Sequence, residues 1–171
     1  MQSPSRPDGI KPTVLAIDPG PRQSGWVLFD IEEEKVLSHG IDNNEDIITM
    51  IAPDLECWPL AGYIAIERFE ARGMPLGESS IETILWSGRF AQAFNAEINW
   101  IRRRDIKLHI CGTVRAKDSN VNAVLGDRFS KGQGMRVAKG TKKAPGPLYG
   151  LKSHSLAALA VAVTFTDHYE V

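Results

Sequence analysis

The chain has 171 residues, 43% of them hydrophobic and 24% charged, with a formal net charge of −1. That length suits one domain with a sizeable core, and a near-neutral total taken alone argues against a nucleic-acid binder. No apolar run reaches the length of a membrane span, and the polar stretch Met1 to Lys11 lacks the apolar core of a signal peptide.

The total hides an asymmetry. Residues 1–98 carry a net −9, and residues 99–152 a net +10. A basic segment of this kind is what a phosphate-binding face looks like in sequence; the bland alternative is a solvated surface paired with the acidic half. Cys57 and Cys111 are too few for a disulfide framework. Isolated thiols fit a reducing cytoplasm and a packing role.

Residues 1–11 read as a disordered tail and 12–171 as a single domain. Thr13 to Asp18 is a buried strand, and Pro19-Gly20-Pro21 a turn. Ser24 to Asp30 is a second strand, with Trp26, Leu28 and Asp30 on one face and Val27 and Phe29 on the other. Glu34 to Gly40 is a third, and the short connections imply an antiparallel meander. Asn43 or Asn44 caps a helix to Ala52, which Pro53 ends. Tyr63 to Ile66 is the fourth strand, and Arg72 to Gly77 a loop.

Ser79 or Ser80 starts a helix to about Glu97, with Ile81, Ile84, Leu85, Phe90, Phe94 and Ile98 near helical spacing. Gly88 on that helix would permit close approach of another backbone, within the subunit or between subunits. Lys107 to Cys111 is expected as the fifth strand and Asn120 to Phe129 as a helix. Ser130 to Gly150 holds five Gly, two Pro and five Lys or Arg, so a mobile basic loop is expected at about 130–150. Leu151 to Thr166 closes the chain as an apolar helix. The order βββαβαβαα gives a mixed sheet with helices on its faces, although the strand order within the sheet is not legible.

Three segments end in a possible metal ligand: strand then Asp18, strand then Glu67, and His154 at a helix start. A turn or capping aspartate would explain Asp18, and an ion pair with Arg68 or Arg72 would explain Glu67. Both acids at strand ends favour a hard divalent ion, Mg²⁺ or Mn²⁺. His154 could be a ligand or a base, and Lys152 a phosphate contact or a solvated lysine. Trp26, Trp86 and Phe90 read as core. Phe69 could pack under the loop or stack on an unpaired base. No Walker-type loop is present, which disfavours nucleotide hydrolysis.

Together, Ile17-Asp18-Pro19-Gly20 with Ser24-Gly25-Trp26, Ile64-Ala65-Ile66-Glu67 with Phe69, and His154 with Ala158 to Ala162 resemble the RuvC branch of the RNase H-like nucleases, the Holliday junction resolvases. The likeness spans residues 13–166. It implies an α/β, RNase H-like fold with a mixed five-stranded sheet and helices on both faces. It also implies a homodimer whose subunits each cut one strand of a four-way DNA junction using two divalent ions. Asp18 and Glu67 carry over as catalytic metal ligands, and His154 stands where the family has Asp or His. Phe69 becomes a candidate for distorting the junction. The stretch Lys142 to Gly150 is similar to phage-borne members, which would place the protein in a host cytoplasm. Arg102, Arg103, Arg104, Lys131, Lys139, Lys142, Lys143 and Lys152 form the pool of phosphate contacts.

One departure matters. The family carries an acid three residues past His154, and here that position is Ala157. Three explanations are open: an engineered inactivation, an oxygen supplied instead by Glu70, Asp118 or Asp127, or loss of catalysis with junction binding kept. The alternatives to a resolvase are therefore an RNase H-type nuclease on other branched or hybrid nucleic acids, and a junction-binding protein with an inactive site.

Overall fold

Strand β1 (Thr13–Asp18) is buried on both sides, and this fixes the architecture. Val14 and Ala16 belong to one core cluster, Leu15 and Ile17 to the other. A strand apolar on both faces must lie inside a sheet covered on both faces. The computed structural model describes residues 12–51, 62–71, 73, 75–94 and 96–168; the expected tail at 1–11 lies outside them. It shows one five-stranded sheet in the order β3-β2-β1-β4-β5. The other strands are β2 (Gln23–Asp30), β3 (Lys35–Asn43), β4 (Tyr63–Arg68) and β5 (Ile98–Arg102).

The meander is antiparallel, as expected: Ile17 pairs with Trp26, and Trp26 with Gly40. β4 then runs parallel to β1, and β5 parallel to β4. Helices cover both faces. On one side α1 (Asn44–Ile51) and α2 (Glu78–Ala93) close over Leu15, Ile17, Ile64 and Ile66. On the other lie α3 (Arg103–Cys111), α4 (Asp118–Ser130), α5 (Met135–Lys139) and α6 (Ser153–His168). No helix among the described residues is long and apolar enough to cross a membrane.

Helix α6 is buried almost all round and packs on β1 and β2. Its first turn crosses β2 at Gly25, where any Cβ would lie 2.2 Å from the His154 carbonyl carbon. The far end is tied down by Asp167, which accepts bonds from Arg128 at 2.6 and 2.8 Å and lies 2.7 Å from His109 Nε2.

Two expectations are corrected. The fifth strand is Ile98–Arg102, and Lys107–Cys111 belongs to α3. Ile98 and Trp100 pair with Ile64 and Ile66, whereas Ile106 and Ile110 turn inward four residues apart, the spacing of a helix. The segment 130–150 is also more structured than a loop. It contains α5, a bridge between Gly140 and Pro145, and fully buried Ala138 and Leu148, which anchor it to the core.

Candidate active site

The pairing of Ile17 with Ile66 aligns the ends of two parallel strands, so the next residues, Asp18 and Glu67, emerge side by side. Crevices outside the carboxyl ends of such strands are where open α/β sheets place their ligands. Both side chains are mostly covered, 14% exposed for Asp18 and 16% for Glu67.

The turn behind Asp18 is locked by buried hydrogen bonds. Gly20 N–H donates to Ser24 Oγ (3.1 Å), Ser24 Oγ–H to Asn44 Oδ1 (2.7 Å), and Asn44 Nδ2 to the Gly20 carbonyl (2.9 Å). Asn44, expected only as a helix cap, thus fixes the backbone that carries Asp18. Gly20 cannot be larger, since a Cβ there would lie 2.3 Å from the Gln23 carbonyl oxygen.

His154, in the first turn of α6, reaches back so that Nδ1 lies 2.7 Å from Asp18 Oδ2. From the other side comes Arg103, the first residue of α3. It donates to Glu67 Oε2 at 3.0 Å and reaches Asp118 Oδ1 at 2.8 Å. Lys107 stands 3.5 Å from the same Asp118 oxygen. Arg103 was expected among the phosphate contacts; instead its guanidinium, 17% exposed, braces two carboxylates. Of the acids considered as replacements at Ala157, Asp118 is the one linked to the site, through Arg103. Glu70 lines a separate cleft with Arg104, and Asp127 stands on α4 beside Gly134. Ala157 itself is partly buried on α6, one turn past His154, and offers only a methyl group.

The electrostatics follow from this crowding. Burial, and then the Asp18 carboxylate, push Glu67 up to about 7, although Arg103 opposes them. The hydrogen bond to Asp18 raises His154 above its ordinary value; burial opposes the shift, and the Asp18 and Glu67 charges add to it. Asp118 is held below its ordinary value: burial would raise it, but Arg103 and Lys107 more than offset that.

Two carboxylates side by side on rigid strand ends, one of them raised by burial and by the other's charge, are the chemistry of a hard-cation site. Among the described residues no three His, Cys, Asp or Glu side chains are gathered around one point. His154 is turned onto Asp18, and Arg103 occupies Glu67. The set therefore fits an ion held by Asp18 and Glu67 and completed by water and substrate oxygens, as Mg²⁺ sites commonly are.

The other expected contacts are dispersed. Arg102 is exposed and bonded to Asp105 at 2.6 Å, and Arg104 is exposed. Lys131 caps α4 in the left-handed region, Lys139 ends α5, and Lys142 and Lys143 are exposed between Gly140 and Pro145. Lys152 is exposed immediately before α6, and Phe69 is partly buried just past β4.

Glu67 has a consequence for stability. A carboxyl raised in the folded state favours folding at low pH, and that contribution is lost as pH rises from about 4.5 through about 7. Metal-free Glu67→Gln is expected to melt about 2–4 °C above wild type at pH 8, the shift that roughly 1 kcal/mol gives a domain of this size. The gap should close toward pH 4.5. Thermal melts in EDTA across that range measure it; a variant that melts below wild type at pH 8 would contradict the burial argument.

No family model matches the sequence, and no curated protein matches it. Solved structures do. The Thermus thermophilus RuvC structure superposes with a TM-score of 0.63 at 18% identity, covering 89% of this chain and 92% of that one. T. thermophilus RuvC in complex with Holliday junction substrate superposes with a TM-score of 0.60 at 19% identity, covering 89% and 91%. The chain thus has the mixed α/β fold of RuvC, a five-stranded sheet with helices on both faces.

Proposed function

We propose that this chain is a divalent-metal-dependent, structure-selective DNA endonuclease that resolves four-way junctions. One observation carries the reading: Asp18 and Glu67 emerge side by side at the carboxyl ends of β1 and β4, with His154 on Asp18, in a fold shared with a protein solved on a Holliday junction.

A bound Mg²⁺ or Mn²⁺ would polarise the scissile phosphate and lower the pKa of an attacking water. Asp18 and Glu67 would hold the ion. Arg103, which donates to Glu67 Oε2, holds that carboxylate in place beside β1's end. His154, oriented through its Nδ1 contact with Asp18, accepts a proton from water or completes the ligand set. Residues Arg102, Arg104, Lys131, Lys139, Lys142, Lys143 and Lys152 supply a basic surface for phosphates, and Phe69, beside the second acid, wedges or stacks on an opened base.

Paired cuts need two sites, and α2 supports a homodimer. Ile81, Ile84 and Leu85 are 46%, 40% and 56% exposed, and a Cβ at Gly88 would meet nothing within 4 Å. These positions share one helix face. Trp100 of β5, 42% exposed, belongs to the same side of the sheet. An exposed apolar helix face of this kind favours association, and two copies related by a twofold axis would cover it. Leu85→Glu is expected to yield a folded monomer by light scattering at concentrations where wild type is a dimer. A dimeric Leu85→Glu protein would place the interface elsewhere.

Ala157 favours one second reading, a junction-binding protein without cleavage. Synthetic four-way, three-way, linear and RNA–DNA hybrid substrates with Mg²⁺ or Mn²⁺ separate the possibilities. Wild type is expected to make paired symmetric nicks in the four-way junction, and Asp18→Asn to lose at least about 100-fold, the scale on which even outer partners of a metal site are felt. Preference for the hybrid would mean an RNase H-type activity. Junction binding without nicks, with activity appearing in Ala157→Asp, would mean a disabled nuclease.

A further inference from the structure

Beside the acid pair, on the His154 side, lies a cleft of about 480 Å³ between β3 and the segment that leads into α6. Its volume falls within the roughly 300–1,000 Å³ of small-ligand sites. Gln23, His39, Lys152 and His154 supply its functional groups, and Gly40 and Gly150 leave parts of its wall bare. None of its described lining residues is a carboxylate. The acids close by are already engaged: Asp42 accepts from Trp26 Nε1 at 2.6 Å, and Asp18 is bonded to His154. The cleft is therefore lined by polar side chains and one lysine, with no carboxylate of its own among the described residues.

Its shape is built. His39 Nε2 lies 3.1 Å from the Tyr149 carbonyl, which ties the segment before α6 to β3. Gly150 has φ +84°, and a Cβ there would come within 3.0 Å of the His39 ring. Ser153, which lines the cleft, has φ +43°, a conformation a serine adopts only when its surroundings impose it. The strained residue sits between the cleft's lysine and the site's histidine.

We propose that this cleft holds the nucleotide flanking the scissile phosphate, with Lys152 on its phosphate and Gln23 and His39 against its base or sugar. The inference rests on the nuclease reading and deepens it. A strand whose phosphate sits at Asp18 and Glu67 has its neighbouring unit within reach of the cleft, because His154 forms part of both. Gln23 and His39 would then make cutting depend on which base lies there.

The test maps cut positions, and measures junction affinity in EDTA, for wild type, Gln23→Ala, His39→Ala and Lys152→Ala on junctions with a mobile core. A 2-aminopurine beside the exchange point reports occupancy of the cleft without metal. Lys152→Ala is expected to lose about tenfold in cleavage, the scale of one charge-assisted contact. Gln23→Ala, which alters an exposed side chain, and His39→Ala are expected to redistribute the cuts and to lose the 2-aminopurine change. Mn²⁺ affinity should hold within about twofold of wild type, well under one such contact. Variants that cut like wild type, or that lose Mn²⁺ together with cleavage, would overturn the inference and leave the nuclease reading standing. A wild-type protein that neither binds nor cuts any junction would remove both.

Discussion

Asp18 and Glu67 stand side by side because Ile17 pairs with Ile66 across two parallel strands, and the repulsion this creates organises the surrounding structure. Burial and the Asp18 charge push Glu67 up to about 7. Each acid is then matched by a cation or proton donor brought from a different helix. Arg103 arrives at the start of α3, and His154 at the start of α6. The ring of Gly20, Ser24 and Asn44 keeps β1's end from relaxing away. Such an arrangement sacrifices stability at the acid pair, the pattern that destabilised carboxyls at active sites commonly show.

The same geometry accounts for one of the cations in the basic segment 99–152. The strand-to-helix junction at residues 102–104 carries three consecutive arginines, and a helix rotates successive side chains by about 100°. One of them, Arg103, therefore turns into the site, while Arg102 and Arg104 remain exposed. A run of like charges is usually a solvated surface; here one member is a partly buried brace between Asp118 and Glu67, the latter 36 residues away in sequence.

Much of the fold was legible because β1, β2 and β4 follow simple burial rules. The face assignments of Trp26 and Leu28 against Val27 and Phe29 follow period-two alternation and reappear in the two core clusters. The acid pair was legible for the same reason: an apolar run ending in a carboxylate is visible without alignment. The fifth strand was not. Ile98 to Arg102 follows a helix closely enough to look like its last turn, and Lys107 to Cys111 alternates over too few residues to separate strand from helix. Gly112 at φ +71°, the left-handed stop of α3, was the available signal for a helix there. The order of the 130–150 segment depends on Ala138 and Leu148 meeting a core that only the folded chain provides. The roles of Arg103 and Asn44 rest on contacts across 36 and 24 residues, which no local pattern encodes.

The claim on which everything else stands is that Asp18 and Glu67 jointly await a divalent cation. The most direct measurement is calorimetric Mn²⁺ binding at pH 6.5, 7.0 and 8.0 in buffers of different ionisation enthalpy, with Asp18→Asn and Glu67→Gln alongside. A cation that displaces protons from Glu67 and His154 should bind more tightly as pH rises through about 7, with proton release greatest below it. Either substitution should abolish saturable binding. Mn²⁺ affinity that ignores pH, or that survives both substitutions, would contradict the account.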